Sequence, residues 1–201
     1  VAECVRTVGI GFLFAPMLHG AMKHAIGPRR EMGIRTIFNI LGPMTNPART
    51  NVQLTGVFAK ELTVPIAEVL GRLGMRRTLV VWGEGNMDEM TITGSSHIAD
   101  ARDGMVESYT VEPEDVGLTR ADLNDIQGGG DPKESAQLVR EVLQNTAGAR
   151  LDMVLLNAGA ALLAAGLVED LQKGVDLARE TVASGAALKK LEELVAFSRD
   201  K

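Results

Sequence analysis

Apolar and polar positions divide the chain into short, punctuated elements followed by a run of helices. Residues 1–14 pattern as the end of a helix passing into an apolar segment carrying Val5, Val8, Ile10, Phe12, Leu13 and Phe14. Pro16 interrupts that segment, MLHGAMKHA (17–25) resumes a helical pattern, and Gly27-Pro28 breaks it again. One or two short helices are predicted over 29–41, closed by the stop signal Gly42-Pro43. Gln53–Phe58 reads as a short strand, and Pro65–Leu73 as a helix with Ile66, Val69, Leu70 and Leu73 at helical spacing. Thr78–Trp82 is a continuous apolar run, the pattern of a strand buried on both faces. Strand, helix, strand at this spacing predicts a right-handed parallel crossover.

Shorter strands are predicted at 89–93, 96–101 and 105–111. They are separated by Gly94 and by Asp103-Gly104, a hairpin signal. From Pro132 onward the pattern is helical, over about 132–145, 151–165, 169–183 and 185–198. The segment LDMVLLNAGAALLAAG is apolar nearly all round and should lie centrally. The last two helices carry one-sided stripes, Leu171, Val175, Ala178 and Val182, then Leu188, Leu191 and Val195. The expected class is α/β: a mixed, largely parallel sheet flanked by helices. No internal repeat, low-complexity tract or long linker interrupts it.

Composition narrows the function classes. At 201 residues and 45% hydrophobic content the chain can bury a substantial core. A net charge of −5 and a pI near 5.3 argue against nucleic acid as the main partner. Cys4 is the sole cysteine, which excludes an internal disulfide and fits a reducing compartment. No apolar run reaches the roughly 20 residues of a membrane span. The apolar stretch 9–18 has no basic leader, so a signal peptide is not expected. A start at Val directly into a helical pattern is expected of a chain excised from something longer.

Several residue groups could carry chemistry. Gly128-Gly129-Gly130 ahead of a helix could cradle a phosphate. The capping reading is stronger, because Asp131, Pro132 and Glu134 fit an N-cap, a first-turn proline and a capping-box acid. Asp88-Glu89 follows the buried strand after Gly83-Glu84-Gly85-Asn86. Adjacent acids are usually a solvated turn, but these fall at the carboxyl end of a parallel strand, where open α/β sheets bind ligands. Two hard oxygen donors there suit Mg²⁺ held through waters and substrate phosphates. His19, His24 and His97 lack metal-ligand spacing. Ser95, Ser96 and Cys4 have no adjacent base. Arg29, Arg30 and Arg35 flank Glu31 and read either as an exposed ion-pair cluster or as a carboxylate clamp.

Residues 12–47, FLFAPMLHGAMKHAIGPRREMGIRTIFNILGPMTNP, make the reading specific. The segment resembles the corresponding part of anthranilate phosphoribosyltransferases. The resemblance continues in order through QLTGVF, WGEGNMDEM, YTVEPEDVGL, GGGDPKESA, LLNAGAALLAAG and SGAALKKLEEL. Gly20 departs from it, standing where the family usually has proline. The family's glycine-rich GTGGD loop, its Asn-x-Ser-Thr motif and its Lys-His-Gly-Asn segment precede this region. The resemblance therefore implies the C-terminal part of such an enzyme, with the N-terminal helical domain and phosphate loop outside it. The implied organisation is 1–27 entering the α/β domain, 28–50 as hinge and helical-domain segment, and 51–201 as the α/β domain.

The resemblance also implies roles. Arg29 would bind the anthranilate carboxylate, with His19, Gly42 and Pro43 lining the same tunnel. Asp88 and Glu89 would hold Mg²⁺ with phosphoribosyl pyrophosphate. The implied enzyme is a cytoplasmic homodimer of tryptophan biosynthesis, dimerising through its helical domain, with no nucleic-acid or membrane partner. The 201 residues alone are expected to be inactive, and apolar surface after Arg29 would lack its packing partner. The competing readings are a pyrimidine nucleoside phosphorylase-like enzyme, disfavoured by RTIFNILGP, and a non-catalytic interaction module.

Overall fold

The computed structural model describes residues 1–14 and 38–199. They belong to two compact units, Val1–Arg49 with Lys189–Lys201, and Thr50–Leu188. In the first unit, α1 (Ala2–Val8) ends at Gly9, whose left-handed φ of 87° lets its N–H bond the Val5 carbonyl. The Lys190 ammonium donates to the Val8 carbonyl at 2.8 Å and to Glu193 at 2.6 Å.

Helix α2 (Phe38–Met44) carries Gly42-Pro43 inside its last turn, so it ends three residues after the expected 41. Proline removes one N–H there, and the cost is confined to a single intrahelical bond because the helix ends one residue later. The Thr45 hydroxyl donates to the Leu41 and Gly42 carbonyls, at 3.0 and 3.3 Å, and closes the end.

The second unit holds a four-stranded sheet in the order β1 (Val52–Gly56), β2 (Arg77–Gly83), β3 (Ser96–Arg102), β4 (Met105–Val111). β1 and β2 are parallel, joined through α3 (Thr63–Arg72), as the crossover pattern predicts. β3 is antiparallel to both β2 and β4. The sheet is mixed and helix-flanked as expected. Only one of its three pairings is parallel, because β3 and β4 are joined by a tight hairpin rather than a crossover. Asp103 and Gly104, with φ of 54° and 79°, supply the two positive angles of a type I′ turn.

The predicted strand at 89–93 does not form; this stretch is a loop, buried at 90–92. Met90, Thr91 and Ile92 are each 0% exposed, which mimics a buried strand in the sequence. No neighbouring strand takes their backbone groups: those of Met90 and Thr91 bond to side chains, and the Ile92 carbonyl accepts from the Ala121 N–H at 3.0 Å. The Asn157 carboxamide takes both polar groups of Met90, and the Ser96 hydroxyl accepts from the Thr91 N–H at 2.8 Å.

Four helices follow: α4 (Pro132–Leu143), α5 (Ala149–Ala165), α6 (Leu171–Ala183) and α7 (Ala186–Arg199). The core joins Leu79, Val81 and Ile98 of the sheet to Leu155, Leu156 and Ala160 of α5. Each such large side chain contributes about 1.5–3 kcal/mol of burial. Ile66, Ala67 and Leu70 of α3 are also buried, and α3 packs on β2 and β3. α5 and α6 meet through two glycines: a Cβ on Gly174 would sit 2.5 Å from the Gly159 carbonyl oxygen. The Arg77 guanidinium forms a bidentate pair with Asp100, at 3.1 and 2.6 Å, and donates to the Leu163 carbonyl at 2.7 Å. It thereby locks β2 and β3 to the C-terminal turn of α5. No helix among the described residues is long and apolar enough to cross a membrane.

Candidate functional site

The parallel strand β1 ends at Gly56, opposite Val81, and β2 runs two residues further to Gly83. A Cβ on Gly56 would fall 1.5 Å from the Asp88 carbonyl oxygen, and one on Gly83 would fall 2.6 Å from that of Glu89. The acidic pair therefore crosses the strand ends at backbone contact distance, which residues with side chains would forbid.

The loop reaches this position through defined pins. Gly85 and Asn86, with φ of 85° and 63°, reverse the chain after β2. Gly83 and Met87 then exchange two backbone bonds, at 2.9 and 3.1 Å. The Glu84 carboxylate accepts from the Ser95 N–H at 3.0 Å and from its hydroxyl at 3.2 Å, closing the neck of the loop. Those bonds, the backbone one first, hold Glu84 below its ordinary pKa. On the helix side the Asn157 Oδ1 accepts from the Met90 N–H at 3.0 Å, and its Nδ2 donates to the Met90 carbonyl at 2.8 Å.

Asp88 and Glu89 both reach solvent. The protein still crowds Glu89 enough that burial, and then the neighbouring Asp88 charge, raise its pKa. An added cation would favour the charged form against both effects. Among the described residues no group of three or more His, Cys, Asp or Glu side chains could hold a metal. Two carboxylates do not make a closed protein cage. They do fit Mg²⁺, which keeps waters and is completed by substrate phosphates. Glu89 also lines a cleft of about 350 Å³ whose walls include Leu138, Val142, Met153 and Arg150.

The glycine run at 128–130 is a helix cap. Asp131 accepts from the Glu134 N–H at 2.8 Å, and Pro132 opens α4. The Glu134 carboxylate reaches back to the Gly130 N–H at 2.7 Å, one residue earlier than a standard capping box. These amides are already engaged.

His19 and Arg29, with their neighbours Arg30 and Arg35, lie outside the described residues, as does the side chain of Pro43. Gly42 is exposed in the last turn of α2. Gly56, Gly83 and Asn157 were not recognised as site residues in the sequence. The signals were present: glycines at the ends of apolar strands, and one carboxamide inside an apolar helix.

Residues 1–188 match the model of the glycosyl transferase family, a/b domain. The chain belongs to this family. Within the glycosyl transferase family it is 73% identical over 197 residues to an anthranilate phosphoribosyltransferase from Desulfotalea psychrophila; the match takes in 98% of this chain and 57% of that protein. The crystal structure of anthranilate phosphoribosyltransferase from Thermus thermophilus superposes with a TM-score of 0.91 at 46% identity, over 99% of this chain and 59% of that one. The Saccharomyces cerevisiae anthranilate phosphoribosyltransferase in complex with PRPP and Mg superposes with a TM-score of 0.77 at 27% identity, over 89% of this chain and 51% of that one. The chain thus spans less than three-fifths of the length of these relatives.

Proposed function

We propose that the protein of which these residues are part transfers the phosphoribosyl group of phosphoribosyl pyrophosphate to the amine of anthranilate, releasing pyrophosphate. The carrying observation is the acidic pair Asp88-Glu89 laid across the C-terminal ends of two parallel strands, over Gly56 and Gly83. That is the ligand-binding end of an open α/β sheet. Relatives carrying the same name support the substrate pair, and the yeast complex with PRPP and Mg supports the cation.

In this reading the bond from the anomeric carbon to the pyrophosphate oxygen breaks, and a bond to the anthranilate nitrogen forms. The nitrogen sheds one proton. An aromatic amine is neutral near pH 7, so positioning matters more than a strong base. Asp88 and Glu89 hold Mg²⁺, which when bound supplies charge stabilisation on the leaving pyrophosphate. Arg29 pairs with the anthranilate carboxylate through its planar guanidinium, with His19, Gly42 and Pro43 around the ring.

The test is calorimetric titration of phosphoribosyl pyrophosphate with Mg²⁺ into the protein and into Asp88→Asn/Glu89→Gln. The double variant should lose Mg²⁺-dependent binding; unchanged heats would reject the assignment. Arg29→Ala in the complete enzyme should raise the KM for anthranilate far more than that for the other substrate.

A further inference from the structure

We infer that Asn157 is the positioning residue of the acidic pair: its carboxamide fixes the backbone of Met90 and thereby aims the Asp88 and Glu89 carboxylates. The inference rests on the metal-binding reading of that pair. Asn157 is half-buried in α5, whose buried residues are all apolar, and its amide is costly to remove from water without partners. All of it is engaged. Oδ1 accepts from the Met90 N–H at 3.0 Å, while Nδ2 donates to the Met90 carbonyl at 2.8 Å and to the Met153 carbonyl at 3.0 Å. The bond to Met153, one turn earlier on the same helix, holds the rotamer. The pair of bonds to Met90 offers one residue the donor and the acceptor that a neighbouring strand would offer. A carboxamide presents both side by side from one rigid group.

The placement of the pins gives this clamp its meaning. On one side, Met87 is fixed by its two backbone bonds to Gly83. On the other, Met90 is fixed by Asn157 and by its own side chain, which is 0% exposed. Asp88 and Glu89 are the two residues left between these fixed points, with Gly56 and Gly83 beneath their carbonyls. A shift of the chain at Met90 would move both carboxylates off the strand ends. Residues that orient metal ligands from behind typically change affinity 10–100-fold when removed.

The test uses Mn²⁺ in the presence of phosphoribosyl pyrophosphate as the probe, titrated into the complete protein and followed by water-proton relaxation. The variants are Asn157→Leu and Asn157→Ala. The control is Leu163→Ala on the same helix, which empties core volume away from the loop. Both Asn157 variants should bind Mn²⁺ about tenfold more weakly or worse, with faster hydrogen exchange at the Met90 amide. Leu163→Ala should keep wild-type affinity within about twofold despite a lower Tm. Wild-type affinity in either folded Asn157 variant would overturn the inference, as would an equal loss in Leu163→Ala. Absence of Mn²⁺ binding by the wild type, or full binding by Asp88→Asn, would overturn the metal reading itself and this role with it.

Discussion

Two glycine-bearing loops in the same unit end in acidic residues, yet they do opposite things. At 128–134 both carboxylates are turned inward: Asp131 caps the Glu134 N–H, and Glu134 caps the Gly130 N–H. At 83–90 the backbone is held by other groups: Gly83 to Met87, Ser95 to Glu84, and Asn157 to Met90. Asp88 and Glu89 therefore do not have to hold their own loop. Glycine serves close approach over β1 and β2 in the second loop. In the first, Gly128 has open space where a Cβ would be, and the close approach is at Gly129, where a Cβ would fall 2.5 Å from the Ser135 nitrogen of the loop's own helix. A loop whose carboxylates satisfy its own amides is finished structure; one pinned by other residues keeps its carboxylates for a ligand.

Gly56→Ala should break this contrast hardest. Its Cβ would have to occupy space 1.5 Å from the Asp88 carbonyl oxygen, and neither is the end of a flexible side chain. Forced overpacking of this kind costs about 3 kcal/mol. Chemical denaturation should show that loss, and Mn²⁺ affinity should fall with it. A variant with wild-type stability would mean that the strand-end contact is not the constraint. Asp131→Ala should cost about 1 kcal/mol, the usual value of an N-cap, while leaving Mn²⁺ affinity unchanged. Gly128→Ala should leave both stability and affinity close to wild type, since a methyl there meets nothing within 4 Å. Reduced Mn²⁺ binding in either would show that the two loops share a function.

The same contrast explains how much the sequence disclosed. The β1–α3–β2 crossover, the hairpin at Asp103-Gly104 and the C-terminal helices were legible because their signals are local periods and turn residues. The acidic pair was legible from its position after a buried strand. The loop at 89–93 was misread because consecutive buried residues Met90, Thr91 and Ile92 look like a strand. What prevents pairing is a side chain 67 positions away, which no local window contains. Asn157 was visible as a lone polar residue in LLNAGAALLAAG, but its partner was not. The end of α2 was misplaced by three residues because a proline in the last turn forfeits only one intrahelical bond.

Glu84 offers the finest test, because it stands in the acidic loop and is nevertheless engaged. Its carboxylate accepts from the Ser95 N–H and hydroxyl, and those bonds lower its pKa from the ordinary 4.5. Glu89, five residues on, is shifted the other way by burial and by Asp88. For a carboxyl with a depressed folded pKa, the stabilisation is fully present above the unfolded value and is lost as pH falls through the folded one. Below about pH 4.5 the unfolded chain takes up the proton first, so stability should decline with acid in that window. Glu84→Gln keeps an oxygen for the Ser95 N–H but cannot titrate. Its Tm should therefore fall less steeply than that of the wild type below about pH 4.5, with a smaller difference than Asp131→Ala produces, because Glu84 is exposed and its bonds are screened by solvent. Identical slopes in wild type and variant would place the neck of the loop in the backbone bond from Glu84 to the Ser95 carbonyl, at 2.9 Å, rather than in the carboxylate.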